Sequence, residues 1–338
     1  MAEGGDSKRI FLITARHVVF PLNPAGNNMY EHENPSQPHR NVLHFGPGAF
    51  KKLLASIRWE IGNAANNVER QEKRLEAVEG VEGEEERERK DAQDALDQAK
   101  NVIKVHPPYF QEVLEHWGTA EDRTLGHVLM SLPSGSMPVS INIQRISPSS
   151  TSIPPRSTQK IFKGNVIDLE TKLTTVDLDR MMNPRPTDPK NFKHPLDRLL
   201  PLQGTISTAE LRRPTTVDKD GESCFMVLKR GNATDLTIGR GNNTFSFVRH
   251  YFKDKEPQTS KEWPVLPYDR KYGAFSSQGD SGAVVVDGRG RIGGLIIIGS
   301  GDTDDLDITY ATPIEFLMER ITKQFPNAHP HPVLSATT

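Results

Sequence analysis

The chain has 338 residues, 35% of them apolar and 25% charged, with a formal net charge of -2 at neutral pH. That length allows two compact domains with ordinary cores, and the scattered basic residues leave no electrostatic footprint for nucleic acid and no polybasic membrane patch. The single cysteine, Cys224, excludes an intramolecular disulfide framework.

The N-terminus, MAEGGDSKRIFLITAR, lacks the basic region, apolar run and small-residue cleavage site of a secretory signal, so a reducing, intracellular, cytoplasmic setting is expected. No apolar stretch approaches the roughly 20 residues that span a bilayer. The sequons at Asn232 and Asn242 carry no weight in that setting.

Residues 10 to 20, IFLITARHVVF, read as a buried strand running into a short turn at Thr14 to His17. A loop rich in Asn, Pro, Gly and His follows from 21 to 48. Leu54, Ile57, Ile61, Ala64, Val68, Leu75 and Val78 then recur in three- and four-residue steps, and after GVEGEEE so do Ala92, Leu96, Ala99 and Ile103. This predicts two antiparallel helices joined near Gly80 to Gly83. Their outer faces mix Glu, Lys and Arg, which reads first as solvated surface and second as a partner-docking arm over 50–104. Tyr109, Phe110, Val113, Leu114 and Trp117 predict a separate short amphipathic helix. Residues 131 to 160 are dominated by Ser, Pro, Ile and Thr and read as loop or disorder.

From about 195 onward the pattern changes. Short β-rich runs, CFMVLKR, TDLTIGR, TFSFVRHYF, GAVVVDG and RIGGLIIIG, are separated by Gly, Asn and Asp turns, the rhythm of an antiparallel barrel or sandwich. ITYATPIEFLMERITKQF closes this half with a strand, then a helix through Pro313, Phe316, Leu317 and Ile321. The tail after 325 is expected to fray.

Two segments hold residue types for nucleophilic catalysis. A hydroxyl is a poor nucleophile until a base takes its proton and donors face the developing oxyanion. Ser281 lies in QGDSG, where the N–H groups of Gly279 and Ser281 can face one point and the glycines at 279 and 282 permit a sharp turn. His17 ends the LITARH strand. The G-x-S-x-G elbow of α/β-hydrolases does not fit, because position 283 is Ala. His32, His39 and His44, with Glu31 and Glu33 beside the first, lie in a polar loop without a recognised ligand spacing, so no metal or other cofactor is expected. Asp302, Asp304, Asp305 and Asp307 lack the glycine and terminal Glu of a calcium loop.

LITARH and QGDSG resemble the histidine and serine elements of the trypsin-like serine peptidases, in that family's chain order. The closing YATPIEFLMERI and the VLKRGNATDLTIGR segment resemble its last strand and helix and the start of its second barrel. The resemblance implies a mainly β protein of two antiparallel β-barrels of chymotrypsin type, hydrolysing polypeptides through an acyl-enzyme. His17 would be general base and then acid, Ser281 the nucleophile, and Gly279 with Ser281 the oxyanion hole. Phe275 would stand where the family floors its specificity pocket, admitting small or medium apolar side chains, or else be core. The resemblance covers about 9–20 and 195–322; with the periodicity, the expected boundaries are 9–48 and 106–194 for a first barrel with long loops, 49–105 for the inserted hairpin, 195–325 for the second barrel and C-terminal helix, and 326–338 for a disordered tail.

Two departures stand against the pattern. Only 16 residues precede His17, which leaves the first barrel open or incomplete. The acid that orients the histidine has no visible motif: from Arg123 to Ile167 there is no Asp or Glu, and Asp122, Asp168, Asp177 and Asp179 are unassigned candidates. The alternative is a peptidase fold with impaired turnover that serves as a binding or scaffold protein.

Overall fold

A computed structural model describes residues 2–4, 9–20, 28–32, 34, 36–77, 85–131, 164–252, 255–300 and 308–331. They fall into two compact units, one formed by 43–125 and the other by the rest of the described chain. In chain order the elements are β1 (Ala2–Gly4), β2 (Arg9–Phe11), α1 (Arg16–Val19), β3 (Tyr30–Glu31), β4 (Asn41–Leu43), α2 (Pro47–Ala77), α3 (Glu85–Trp117), β5 (Thr124–His127) and β6 (Met130–Ser131). There follow β7 (Val166–Asp168), α4 (Thr175–Met182), β8 (Leu199–Pro201), α5 (Thr208–Leu211), β9 (Phe225–Gly231), β10 (Asp235–Gly241), β11 (Ser246–Phe252), β12 (Lys255–Pro267), β13 (Val284–Asp287), β14 (Ile292–Ser300), β15 (Ile308–Pro313) and α6 (Ile314–Gln324).

The large sheet is antiparallel and runs β10-β9-β13-β14-β15-β12-β11, with a further pairing of β10 to β12. That last pairing, Gly239 to Pro267 through Gly241 to Val265, closes six strands on one another and leaves β11 as a hairpin partner of β12. Alternation explains the filling: Phe225 and Val227, Trp263 and Val265, Val285, Ile296 and Ala311 meet in one buried cluster. The intervening residues Met226, Leu228, Ile238, Val286, Leu295 and Ile297 are buried on the other side, with Leu178 and Met181 of α4 and Leu317 of α6 packed in the same cluster. Strands covered on both faces therefore read as continuous apolar runs. Cys224 lies in that outer layer, and burial first, with Asp218 nearby, pushes its thiol up to about 12, which leaves it inert as a nucleophile.

Two barrels are not what the described residues form. The strands before β9 make only two-stranded sheets, β1 with β2, β3 with β6, β4 with β5 and β7 with β8. The barrel-closing β12 was not anticipated: its sequence, KEPQTSKEWPVLP, is polar and carries three prolines. Pro264 is tolerated because its carbonyl still accepts from the Asn242 N–H at 2.9 Å, so only a donor is lost from the ladder.

In the other unit α2 buries Phe50, Ile57, Ala64 and Gln71, seven residues apart, with Leu54, Ile61, Val68 and Leu75 half-buried beside them. Ion pairs Arg74–Glu88 and Glu60–His106 show that α2 and α3 run antiparallel. Two expectations are corrected. The separate helix at 109–117 is the end of α3, which continues through Pro107 and Pro108. The seam follows Ala92, Leu96 and Ala99 to Phe110 and Val113, while Ile103 is 37% exposed. A proline inside a helix removes one donor, and here the apolar face carries the helix across both.

Among the described helices none is long and apolar enough to cross a membrane. The helix-joining turn near Gly80 to Gly83, Val78, Glu33, the acidic residues from Asp302 to Asp307, the Ser/Pro-rich segment beyond Ser131 and the tail beyond 331 lie outside the described residues.

Trp263 anchors the barrel interior. It is 0% exposed, and its indole N–H donates to the Asn242 carbonyl at 2.9 Å. Its burial contributes on the order of 5 kcal/mol as an upper estimate. A Cβ at Gly293 would lie 2.6 Å from the indole, and one at Gly241 would overlap it outright. Gly241→Ala is therefore expected to lower stability by about 1–3 kcal/mol. In a Trp263→Phe background, which lacks the ring atoms that collide, the penalty should shrink. Urea unfolding of the four proteins measures both.

Candidate active site

Ser281 sits in a turn between the barrel strands β12 and β13, where Gly279 has φ +110° and Gly282 φ +89°, values that favour glycine. The turn is tight: Asp280 N–H donates to the Ser277 carbonyl and Ala283 N–H to that of Asp280, both at 3.0 Å, while Gly282 N–H donates to Ile296 of β14 at 2.8 Å. The Ser277 N–H is taken by the Asp280 carboxylate at 3.0 Å. Among the described residues no acceptor is bonded to the N–H of Gly279 or of Ser281. These are the two donors that the sequence reading assigned to an oxyanion.

Asp280 fixes this geometry. The residue is 1% exposed, and its carboxylate accepts from Ala233 N–H at 2.7 Å, Thr234 N–H at 3.3 Å, the Thr234 hydroxyl at 2.7 Å and the Lys229 ammonium at 3.0 Å. Lys229 and Asp280 both have side chains with 0% exposure. The ammonium also reaches the Thr234 hydroxyl and, at 3.1 Å, the Asp235 carbonyl. Burial alone would raise the Asp280 carboxyl, but the Thr234 hydroxyl, the Ala233 N–H, Lys229 and the Ser277 N–H outweigh it and hold the group below the usual carboxylate range. Lys229 was not foreseen as a site residue. Its signal was a lysine inside FMVLKRG, where strand alternation aligns it with Phe225 and Val227.

His17 sits in the helical turn α1. The turn hangs on Arg16, 6% exposed, whose guanidinium donates to the Ser131 hydroxyl at 2.8 Å and to the Asn28 carbonyl at 2.9 Å. Arg40 adds a bond to the Val19 carbonyl at 2.8 Å. Thr14, three residues before His17, lies against Gly282, and a side chain at 282 would strike it. The chain leading to His17 thus passes beside the serine turn. Burial lowers the His17 imidazole below its ordinary value, so it is neutral at pH 7. The Ser281 hydroxyl is directed at the Ile297 carbonyl, 3.5 Å away, and no hydrogen bond joins it to His17 among the described residues.

The four candidate acids are engaged locally. Asp122 accepts from the Thr119 hydroxyl and N–H, and Asp177 caps α4 with Thr174 and pairs with Arg180. Asp179 accepts from the Asn183 amide and faces Lys190, and Asp168 accepts the Glu170 N–H. Phe275 is 1% exposed and packs in the barrel cluster with Trp263 and Val285, so the core reading accounts for its burial. A cavity of about 500 Å³ opens beside the serine, lined by Thr14, Ser281 and Gly282 together with the apolar Ile167, Leu295 and Leu317. Neither His17 nor Phe275 lines it.

No family model and no curated protein matches the chain. Among solved structures it is similar to the Rv3671c protease from M. tuberculosis in its active form, at 17% identity over 36% of this chain and 47% of that one, with a TM-score of 0.26. The chain thus spans about half of that protein's length. It is also similar to a glutamic acid specific serine protease, at 14% identity over 59% and 72% of the two chains with a TM-score of 0.34. Thermobifida fusca Protease A gives 14% identity over 54% and 65%, with a TM-score of 0.29. These neighbours are serine proteases at low identity, and the chemistry open to this chain is set by the geometry of its own turn.

Removing Lys229 strands a buried carboxylate. Lys229→Met is expected to destabilise the fold by about 3–5 kcal/mol, and Lys229→Met with Asp280→Leu by less than the sum of the two single changes. The sign with pH follows from the depressed Asp280 carboxyl. Its contribution is present above the unfolded value of about 3.9 and is lost as pH falls through the folded one. In Lys229→Met that acid loss should begin at higher pH than in the parent. Urea midpoints against pH read both effects.

Proposed function

We propose that the chain is a serine endopeptidase-like hydrolase of the trypsin-like type, in which Ser281 forms the acyl-enzyme and His17 takes its proton. One observation carries this reading: the N–H groups of Gly279 and Ser281 are uncommitted on a turn that Asp280 and Lys229 hold rigid. Preorganised donors of that kind stabilise a tetrahedral oxyanion without reorganising in the reaction. His17 attacks nothing itself. It accepts the hydroxyl proton as the Ser–carbonyl bond forms and returns it to the leaving amine, and water then repeats the cycle to free the acid. The apolar wall of the cavity beside Ser281 suits an apolar substrate side chain.

A second reading has its own support. The four candidate acids all bind elsewhere, and among the described residues no bond links His17 to Ser281, which favours a peptidase fold with impaired turnover that holds a polypeptide partner. A fluorophosphonate probe separates the two. On the hydrolase reading it labels Ser281, Ser281→Ala abolishes labelling, and His17→Ala slows it. Because burial lowers the His17 imidazole, the acid limb of the labelling rate should fall below pH ~6.5. Peptide turnover should run about 10⁴ below that of a site with an orienting acid. Absence of any labelling of Ser281 supports the binding reading.

A further inference from the structure

Outside the serine turn, three imidazoles converge. The segment from 127 to 131 carries a neighbour on each side: β6 pairs Met130 with Glu31 and Ser131 with Tyr30, and His32 N–H donates to the Leu129 carbonyl at 2.8 Å. On the opposite side Val128 N–H donates to the Arg40 carbonyl at 2.9 Å. These bonds bring His127 beside His32 and His39, which lie seven positions apart in an earlier segment. The rings of His39 and His127 stack at 4.1 Å, and His32 meets them edge-on at 4.8 and 5.0 Å. One ring nitrogen from each lies within 4.8 Å of the other two. His44, grouped with His32 and His39 in the sequence reading, instead packs against Phe45 and Trp117, and His127 takes its place.

A second observation separates this cluster from ring packing. The His32 Nδ1 is buried and has no hydrogen-bond partner among the described residues. A buried polar atom left unmet is unfavourable, and a cation bound there would satisfy it. We propose that His32, His39 and His127 form a binding site for a borderline-soft divalent transition ion, zinc by class. Three neutral nitrogens suit zinc, cobalt or nickel, whereas calcium and magnesium require oxygen ligands. At a Zn–N distance of about 2.1 Å the ligand nitrogens of a tetrahedral ion lie ~3.4 Å apart, so the cluster contracts on loading. Because the parallel His39 and His127 rings do not aim their in-plane lone pairs at one point, loading requires the His39 ring, which is exposed, to turn out of that stack. The ion would bridge the segments at 32 and 39 to the strand at 127.

The test uses the full chain, freed of metal by chelator, titrated with cobalt(II) and followed by its visible absorption, with zinc as competitor. Its readout does not depend on Ser281 reactivity. The expected result is one cobalt per chain, displaced by zinc. His39→Ala and His127→Gln should each weaken binding more than about 100-fold, beyond the 10–100-fold typical of losing an outer partner. His44→Ala should bind as the parent does. Should His127→Gln lose its circular dichroism signature, His39→Ala decides, since its ring is exposed. The proposal is overturned if the parent takes up no cobalt below about 1 mM, if His39→Ala binds like the parent, or if His44→Ala loses as much as His39→Ala.

Discussion

The buried pair of Lys229 and Asp280 is the constraint on which the candidate site depends. Two charges withdrawn from water are tolerable only when each finds its full set of partners, and those partners fix where both chains must run. Lys229 comes from β9, inside the barrel wall, and Asp280 from the turn that carries Ser281. Pinning one to the other, with Ala233, Thr234 and Ser277 completing the set, leaves the turn a single geometry. An apolar pair of similar volume could be as stable. What the ion pair accompanies is a fixed turn: the Asp280 carboxylate takes the Ser277 N–H, and among the described residues no acceptor meets the N–H groups of Gly279 and Ser281.

The barrel supplies a rigid frame for this arrangement. Closure through β10 and β12 removes a free edge, and Trp263 fills the interior so tightly that positions 241 and 293 admit no side chain. The histidine side is mounted differently. Arg16 and Arg40 hold the α1 turn by donating to carbonyls and a hydroxyl on other segments, and both guanidinium groups also lie over the Phe20 ring, at 4.7 and 4.2 Å. On this side a small apolar cluster of Phe11, Met130, Ile321 and Ala328 is supplemented by these polar ties, whereas the serine turn rests on the barrel wall.

This difference also decides what the sequence revealed. The runs that became β9, β10, β11, β13, β14 and β15 were legible because β-branched and aromatic residues repeat between Gly and Asn turns, and the serine turn was legible because QGDSG is short and local. β12 was hidden by its charges and prolines, since its place is fixed by partners on both sides rather than by its own propensity. The passage of α3 through Pro107 and Pro108 was hidden for the same reason: local preference says stop, and the buried seam from Leu96 to Phe110 overrides it. Lys229 and His127 were missed because their meaning lies in contacts at long range. A lysine in an apolar run and a histidine in a short strand acquire roles only when Asp280 and His32 are seen beside them.

The two halves of the proposed mechanism are unequally built. Stabilising an oxyanion needs only fixed donors, and the turn provides them at no further cost. Taking a proton from Ser281 converts His17 to an imidazolium, and burial opposes that charge. An orienting carboxylate ordinarily offsets this penalty and selects the tautomer, yet Asp122, Asp168, Asp177 and Asp179 are spent on local turns and helix caps. In the proposed mechanism, burial of the base and the local engagement of these four acids act in the same direction, raising the barrier to acylation without touching the donors that face an acyl oxygen. On the proposed mechanism the hydrolase and the binding protein are therefore two ends of one physical range, separated by how far the charge that develops on His17 is compensated when Ser281 is deprotonated.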